Sequence, residues 1–211
     1  MRRRTVVLTV AAVVALPLLW HALIVSDGAG MLAAAFGWTM AVATALVFAR
    51  AGGAAGIELA AVLGAIAVGC VATAGRPIAV FVPPVAINAL LVWFFGRTLA
   101  PGREPLATAI ARFVRGSLPP EVERYTRNVT WAWCAFFAAN AAVSVVLAAL
   151  APLAVWSFFA HLLPGPLVVA MFVAEYAYRR RRFPAYEHVP PLALLRRLVK
   201  AGYFGSASAT K

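Results

Sequence analysis

Charged and strongly polar residues of this chain gather in a few short stretches, with long apolar runs between them. Six runs read out, near residues 5–25, 31–49, 57–74, 77–95, 129–150 and 153–176. Each is close to the roughly 20 residues with which a helix crosses about 30 Å of hydrocarbon at 1.5 Å per residue. The runs are rich in Ala, Leu and Val and do not alternate, so strands are not expected. In lipid only helices and closed barrels satisfy the backbone. The pattern predicts an all-α polytopic membrane helix bundle, one integral membrane domain over residues 1–211, with two short interfacial amphipathic helices.

Those two helices are predicted in the polar stretches. In the 96–128 loop, Pro105 suits the first turn of a helix. Leu106, Ile110, Phe113 and Val114 then share one face, flanked by Arg112 and Arg115, as a helix lying in the membrane surface requires. Ser117 to Pro120 breaks it. Glu121 and Glu123 mark a new helix start, acidic where the helix dipole favours negative charge, and this helix is expected to continue into the fifth span. Past residue 190 the pattern recurs: Leu192, Leu194, Leu195, Leu198 and Val199 alternate with Arg196, Arg197 and Lys200. Gly205 to Lys211 are small and polar and are expected to fray.

Composition agrees. The chain is 64% apolar with a mean hydropathy of +0.87, well beyond the roughly half expected of a soluble domain. Its net charge of +12 sets topology. When the six runs are threaded through a bilayer, eighteen of the nineteen Lys and Arg residues fall on one side, and only Arg76 falls on the other. Basic loops stay in the cytoplasm, so the chain is expected in the bacterial inner membrane with both termini cytoplasmic and a cytoplasmic tail over 177–211. Arg2 to Arg4 before the first run also fit a signal peptide. No small-x-small cleavage site follows near Trp20, and Pro17 interrupts the run, so an uncleaved span is preferred.

Candidate chemistry is sparse. Glu58 and Glu175 lie at the predicted cytoplasmic interface, close in depth to Arg97 and Arg127. They read either as interfacial ion pairs or as a polar pocket open to the cytoplasm. Arg103, Arg112, Arg115, Arg124, Arg179 and Arg180 form a basic patch for anionic lipid headgroups or an acidic protein. Nucleic acid is not expected, because no binding motif accompanies the arginines. Asn88, Asn140, Ser144 and His161 sit deeper, where hydrogen bonds between helices explain them. Pro83-Pro84 and Pro164-Gly165-Pro166 are expected to break their helices. Trp131, Trp133, Tyr125, Tyr176 and Tyr178 read as an aromatic belt.

Cys70 and Cys134 fall near opposite leaflets, beyond the ~7 Å reach of a disulfide, and read as small packing residues. No metal-ligand spacing, P-loop or nucleophile motif occurs, so neither a metal nor a cofactor is expected. His21 and Asp27, the only Asp, have the wrong order and spacing for a membrane acyltransferase.

Three segments carry a resemblance: Phe95-Gly96-Arg97-Thr98-Leu99 with Pro101-Gly102-Arg103-Glu104-Pro105-Leu106; Leu118-Pro119-Pro120-Glu121-Val122-Glu123-Arg124-Tyr125-Thr126-Arg127; and Glu175-Tyr176-Ala177-Tyr178-Arg179-Arg180-Arg181-Arg182-Phe183. Together they resemble a bacterial inner-membrane protein family encoded among fatty-acid-synthase-like genes for aryl polyene pigments of the xanthomonadin type. Some members are labelled ketosynthase, but that soluble fold, which sets a Cys nucleophile and two His in a much longer chain, is not encoded in these 211 residues. The resemblance covers about residues 90–190 and implies a role beside acyl-chain enzymes. Acyl carrier proteins are acidic and meet their partners through Arg and Lys, so the basic loop could dock one. Three functions follow as expectations: an accessory membrane component anchoring acyl-chain enzymes or carrier protein, a small transporter or flippase for a lipid-like product, and a membrane enzyme acting on an acyl substrate.

Overall fold

A computed structural model describes residues 15, 17–26, 39, 42 and 80–184. The predicted spans near 31–49 and 57–74, most of the first, Glu58, Cys70, Arg76 and the helix expected past residue 190 lie outside the described residues. Among the described residues every regular element is helical and none is a strand. They fall into two compact units, Phe81–Ala160 and the described parts of 1–80 with 161–211.

In the first unit, α1 spans Val82–Gly96 and ends in a 3-10 turn, Arg97–Leu99. A short helix α2 follows, Leu106–Arg115. Then comes α3, Pro120–Leu150, and a five-residue helix α4, Leu153–Ser157. Pro83 and Pro84, expected to break a span over 77–95, stand at the start of the described helix, and residues 77–79 lie outside the described residues. Both prolines occupy the first turn of α1, where the missing N–H costs no intrahelical bond. Pro120 starts α3 in the same way, with Glu121 and Glu123 in its first turn. The helix runs unbroken for 31 residues until Pro152, which forces Ala151 into an extended conformation (ψ 156°). Gly116 ends α2 at φ 79°, a left-handed value that favours glycine.

The buried side of α3 is a narrow line: Val122, Thr126, Thr130, Trp133, Phe137, Asn140 and Ser144. Spacings of three and four keep these residues on one face. α1 packs antiparallel along this line. Its last turn brings Phe95 to Trp133 and Phe137, with ring centroids 6.0 and 5.5 Å apart. At its other end Phe81 meets Trp156 of α4 edge-on at 4.5 Å. Trp156 is fully buried, and its Nε1 donates to Ser144 Oγ at 3.2 Å. Lipid offers helices no hydrophobic incentive to associate, so close ring packing holds α1 to α3, and the Trp156–Ser144 bond holds α4 to α3. Trp133, expected in an aromatic belt, is buried in this ring cluster. Trp131 is 57% exposed.

In the second unit, residues 17–25 are helical, and Trp20 stacks on His161 with centroids 6.0 Å apart. α5 spans Pro164–Arg182. The sixth predicted span is thus not one helix. A π-helical turn, Phe158–Leu162, and a break at Leu163 precede α5, whose prolines occupy its first turn. α5 continues past residue 176, so Arg179 to Arg182 are helical.

Among the described residues, Val82–Leu99 and Pro120–Leu150 are long and apolar enough to cross a membrane, and Leu153–Leu162 with Pro164–Arg182 adds a third if the pair is one interrupted span. Apolar side chains such as Val145, Val146, Val169 and Val173 are exposed, as lipid-facing residues should be. Replacing Trp156 tests the packing. Trp156→Phe, which loses the bond to Ser144 and part of the ring volume, should cost about 1–3 kcal/mol. Trp156→Ala should cost about 3–5 kcal/mol. Unfolding of the detergent-solubilised protein followed by circular dichroism reads both.

Candidate functional site

The densest polar structure among the described residues lies where α2 meets the Pro120 end of α3. Helix α2 begins after Pro105, which has no side-chain cap to offer, so its first N–H groups need acceptors from elsewhere. Two threonines supply them. Leu106 N donates to Thr98 Oγ1 at 3.0 Å, and Ala107 N donates to Thr130 Oγ1 at 3.2 Å. Each threonine passes its own proton to a carbonyl one turn back, Thr98 to Phe95 and Thr130 to Thr126. One turn toward Pro120, Thr108 and Thr126 share a buried hydroxyl–hydroxyl bond of 2.7 Å.

Ion pairs complete the attachment. Arg112 places Nε 3.1 Å from Glu104 Oε1, and its Nη2 donates to Glu123 Oε1. These groups are about half exposed, so each pair contributes about 0.2–1 kcal/mol. Arg127 Nη2 donates to Leu99 O at 3.0 Å, satisfying a carbonyl at the end of α1, where the helix dipole also favours a cation. Arg97 lies over the Trp93 and Phe94 rings, 4.7 and 5.1 Å from their centroids, a cation–π geometry. α2 thus turns Thr108, its one buried helical residue, inward. Phe113 of its apolar stripe is 47% exposed. The result is a rigid ledge.

The candidate residues accordingly separate. Arg97, Arg112 and Arg127 each have a partner within the ledge. Arg103 and Arg124 are exposed, and their side chains have no partner among the described residues. Arg115 is exposed at the end of α2. In the second unit, Glu175 Oε1 lies 3.3 Å from Arg179 Nε, one turn apart on α5, but out of line for a hydrogen bond. Arg179 and Arg180 both lie over Tyr176, at 5.6 and 5.8 Å.

The deep amides differ from the expectation of bonds between helices. Asn88 Nδ2 donates to Pro84 O at 2.8 Å, and Asn140 Nδ2 to Phe136 O at 2.9 Å, each within its own helix. Asn140 Oδ1 is buried and has no donor among the described residues. Ser144 does join two helices, through Trp156.

Sequence reasoning missed the threonines. The available signal was Thr126-x3-Thr130 opposite Thr98 and Thr108 in a loop otherwise read for its arginines. Among the described residues no group of three His, Cys, Asp or Glu side chains could hold a metal.

Thr130 is fully buried, so Thr130→Val leaves Ala107 N–H without an acceptor at almost constant volume. The loss should be about 1–2 kcal/mol, read as faster amide exchange across 106–115. Arg112→Gln should loosen the same segment less, and the difference between Arg112→Gln and the unmodified protein should shrink in high salt. No family model, curated protein or solved structure matches the chain.

Proposed function

We propose that the protein is a multi-pass inner-membrane component of a pathway making a lipid-like aryl polyene. In this reading it has six spans, both termini cytoplasmic, and acts as a non-catalytic accessory that anchors acyl-chain enzymes or their carrier protein. One observation supports it above the others. Two of the three segments that carry the family resemblance, 95–106 and 118–127, supply Thr98, Glu104, Glu123, Thr126 and Arg127 to the ledge. A loop that only linked two spans would have no need of four threonines and a bridging arginine. The apolar stripe Leu106, Ile110, Phe113 and Val114 suits the membrane interface, and the exposed Arg103 and Arg115 present positive charge to an acidic partner.

A second reading, a small transporter or flippase, is favoured by Asn140. A carboxamide oxygen without a donor is costly in a membrane-spanning helix, and a polar guest would relieve it.

Deleting the gene in a host that makes polyene should abolish the pigment or replace it with a precursor, read by visible absorbance and mass spectrometry of total lipid. An unchanged extract removes the pathway reading. With the inserted protein in detergent, the double variant Arg103→Glu/Arg115→Glu should weaken acyl-carrier-protein binding at least tenfold. Unchanged binding removes the docking role.

A further inference from the structure

The face of α3 turned away from α2 has an order of its own. Arg124, Asn128, Trp131, Ala135, Ala138 and Ala142 follow one another at spacings of four and three, so they form one line along the helix. All six are exposed. At about 100° per residue this line lies opposite Thr126 and Thr130, the residues that hold α2. It is therefore not a packing seam of its own unit.

The chemistry along the line changes with depth. A guanidinium, a carboxamide and an indole come first. The indole of Trp131 suits the membrane–water interface. Arg124 lies about 10 Å further toward the Pro120 end, at the level of the headgroups. Its side chain is without a partner among the described residues, unlike Arg97, Arg112 and Arg127. Next come only small residues: Ala135, Ala138, Ala139 and Ala142, all exposed. After these the exposed face is bulky, with Val143, Val145, Val146 and Leu150. From Trp131 to Ala142 the helix rises about 16 Å, close to half of a ~30 Å hydrocarbon core. The shallow track thus extends over one leaflet and closes near the midplane.

We propose that this face is a binding site for one anionic phospholipid of the leaflet at the Pro120 end. The phosphate pairs with the Arg124 guanidinium, whose planar donors match it two at a time. Asn128 and Trp131 meet the glycerol and ester region, and one acyl chain lies along the alanines. Charge complementarity selects the headgroup, and the length of the track selects a lipid of a single leaflet. The proposal requires only that α3 crosses a membrane, so it stands apart from the pathway reading.

The test is native mass spectrometry of the full chain in detergent supplied with phosphatidylglycerol or phosphatidylcholine. The unmodified protein should retain one phosphatidylglycerol in preference to phosphatidylcholine by about fivefold, the effect of one arginine at the surface. Arg124→Gln should abolish that preference. Ala138→Leu, which fills the track, should reduce retention of both lipids. Arg181→Gln, on α5 and outside the line, should change neither. A photo-reactive residue at position 138 should cross-link to lipid in membranes, and this readout holds even if a variant folds poorly. Equal retention of the two lipids by the unmodified protein overturns the proposal, as does a preference that survives Arg124→Gln. Cross-linking from position 138 to another segment of the chain or to a second copy also overturns it.

Discussion

Helix α3 is longer than a membrane is thick. Its 31 residues rise about 46 Å, against about 30 Å of hydrocarbon. Where it crosses a bilayer along the normal, about ten residues exceed the hydrocarbon. Pro120, Glu121 and Glu123 mark the Pro120 end as the polar one, while Leu150 at the other end is 82% exposed and apolar. The projecting turns carry Glu123, Thr126 and Arg127, and these are the residues that receive α2 and the end of α1. A helix matched to the bilayer would have offered α2 nothing to lie on.

The same helix solves two packing problems with different chemistry. Inside the apolar stretch, α1 is held by ring packing, and one indole–hydroxyl bond ties α4 to α3, because lipid competes with apolar contacts but not with a hydrogen bond. At the polar end the problem is reversed. There the N-terminal N–H groups of α2 need acceptors, and Thr98 and Thr130 provide them from other elements. The threonines suit both settings, since each hydroxyl returns its proton to a helix carbonyl and leaves its lone pairs for a neighbour. This also explains why the polar side of α2 faces protein while Phe113 remains outside.

The arginines illustrate how much a charge count conceals. Read along the chain, the 96–128 loop presents six equivalent cations. In the structure Arg97 stacks on Trp93, Arg112 joins two glutamates, and Arg127 holds a carbonyl. Their charge remains and still contributes to the field near the surface, but their donors are engaged. Arg103 and Arg124 keep theirs available to a phosphate or carboxylate from outside.

The apolar runs of α1 and α3, the helix starts at Pro105 and Pro120, and the passage of α3 from a polar turn into an apolar stretch were legible in the sequence. Each depends on local chemistry: hydropathy over twenty residues, a missing N–H, an acidic first turn. What sequence alone left unread depended on neighbours distant along the chain. Pro83-Pro84 read as a break in a helix, and the structure places both in the first turn of α1. Trp133 and Trp131, two residues apart, had the same claim to the interface until the approach of Phe95 buried one of them. Thr98, Thr108, Thr126 and Thr130 carry no charge and no periodic signal strong enough to stand out. Their role exists only once α1, α2 and α3 meet, because a hydroxyl becomes a cap only when another helix brings it an unpaired N–H.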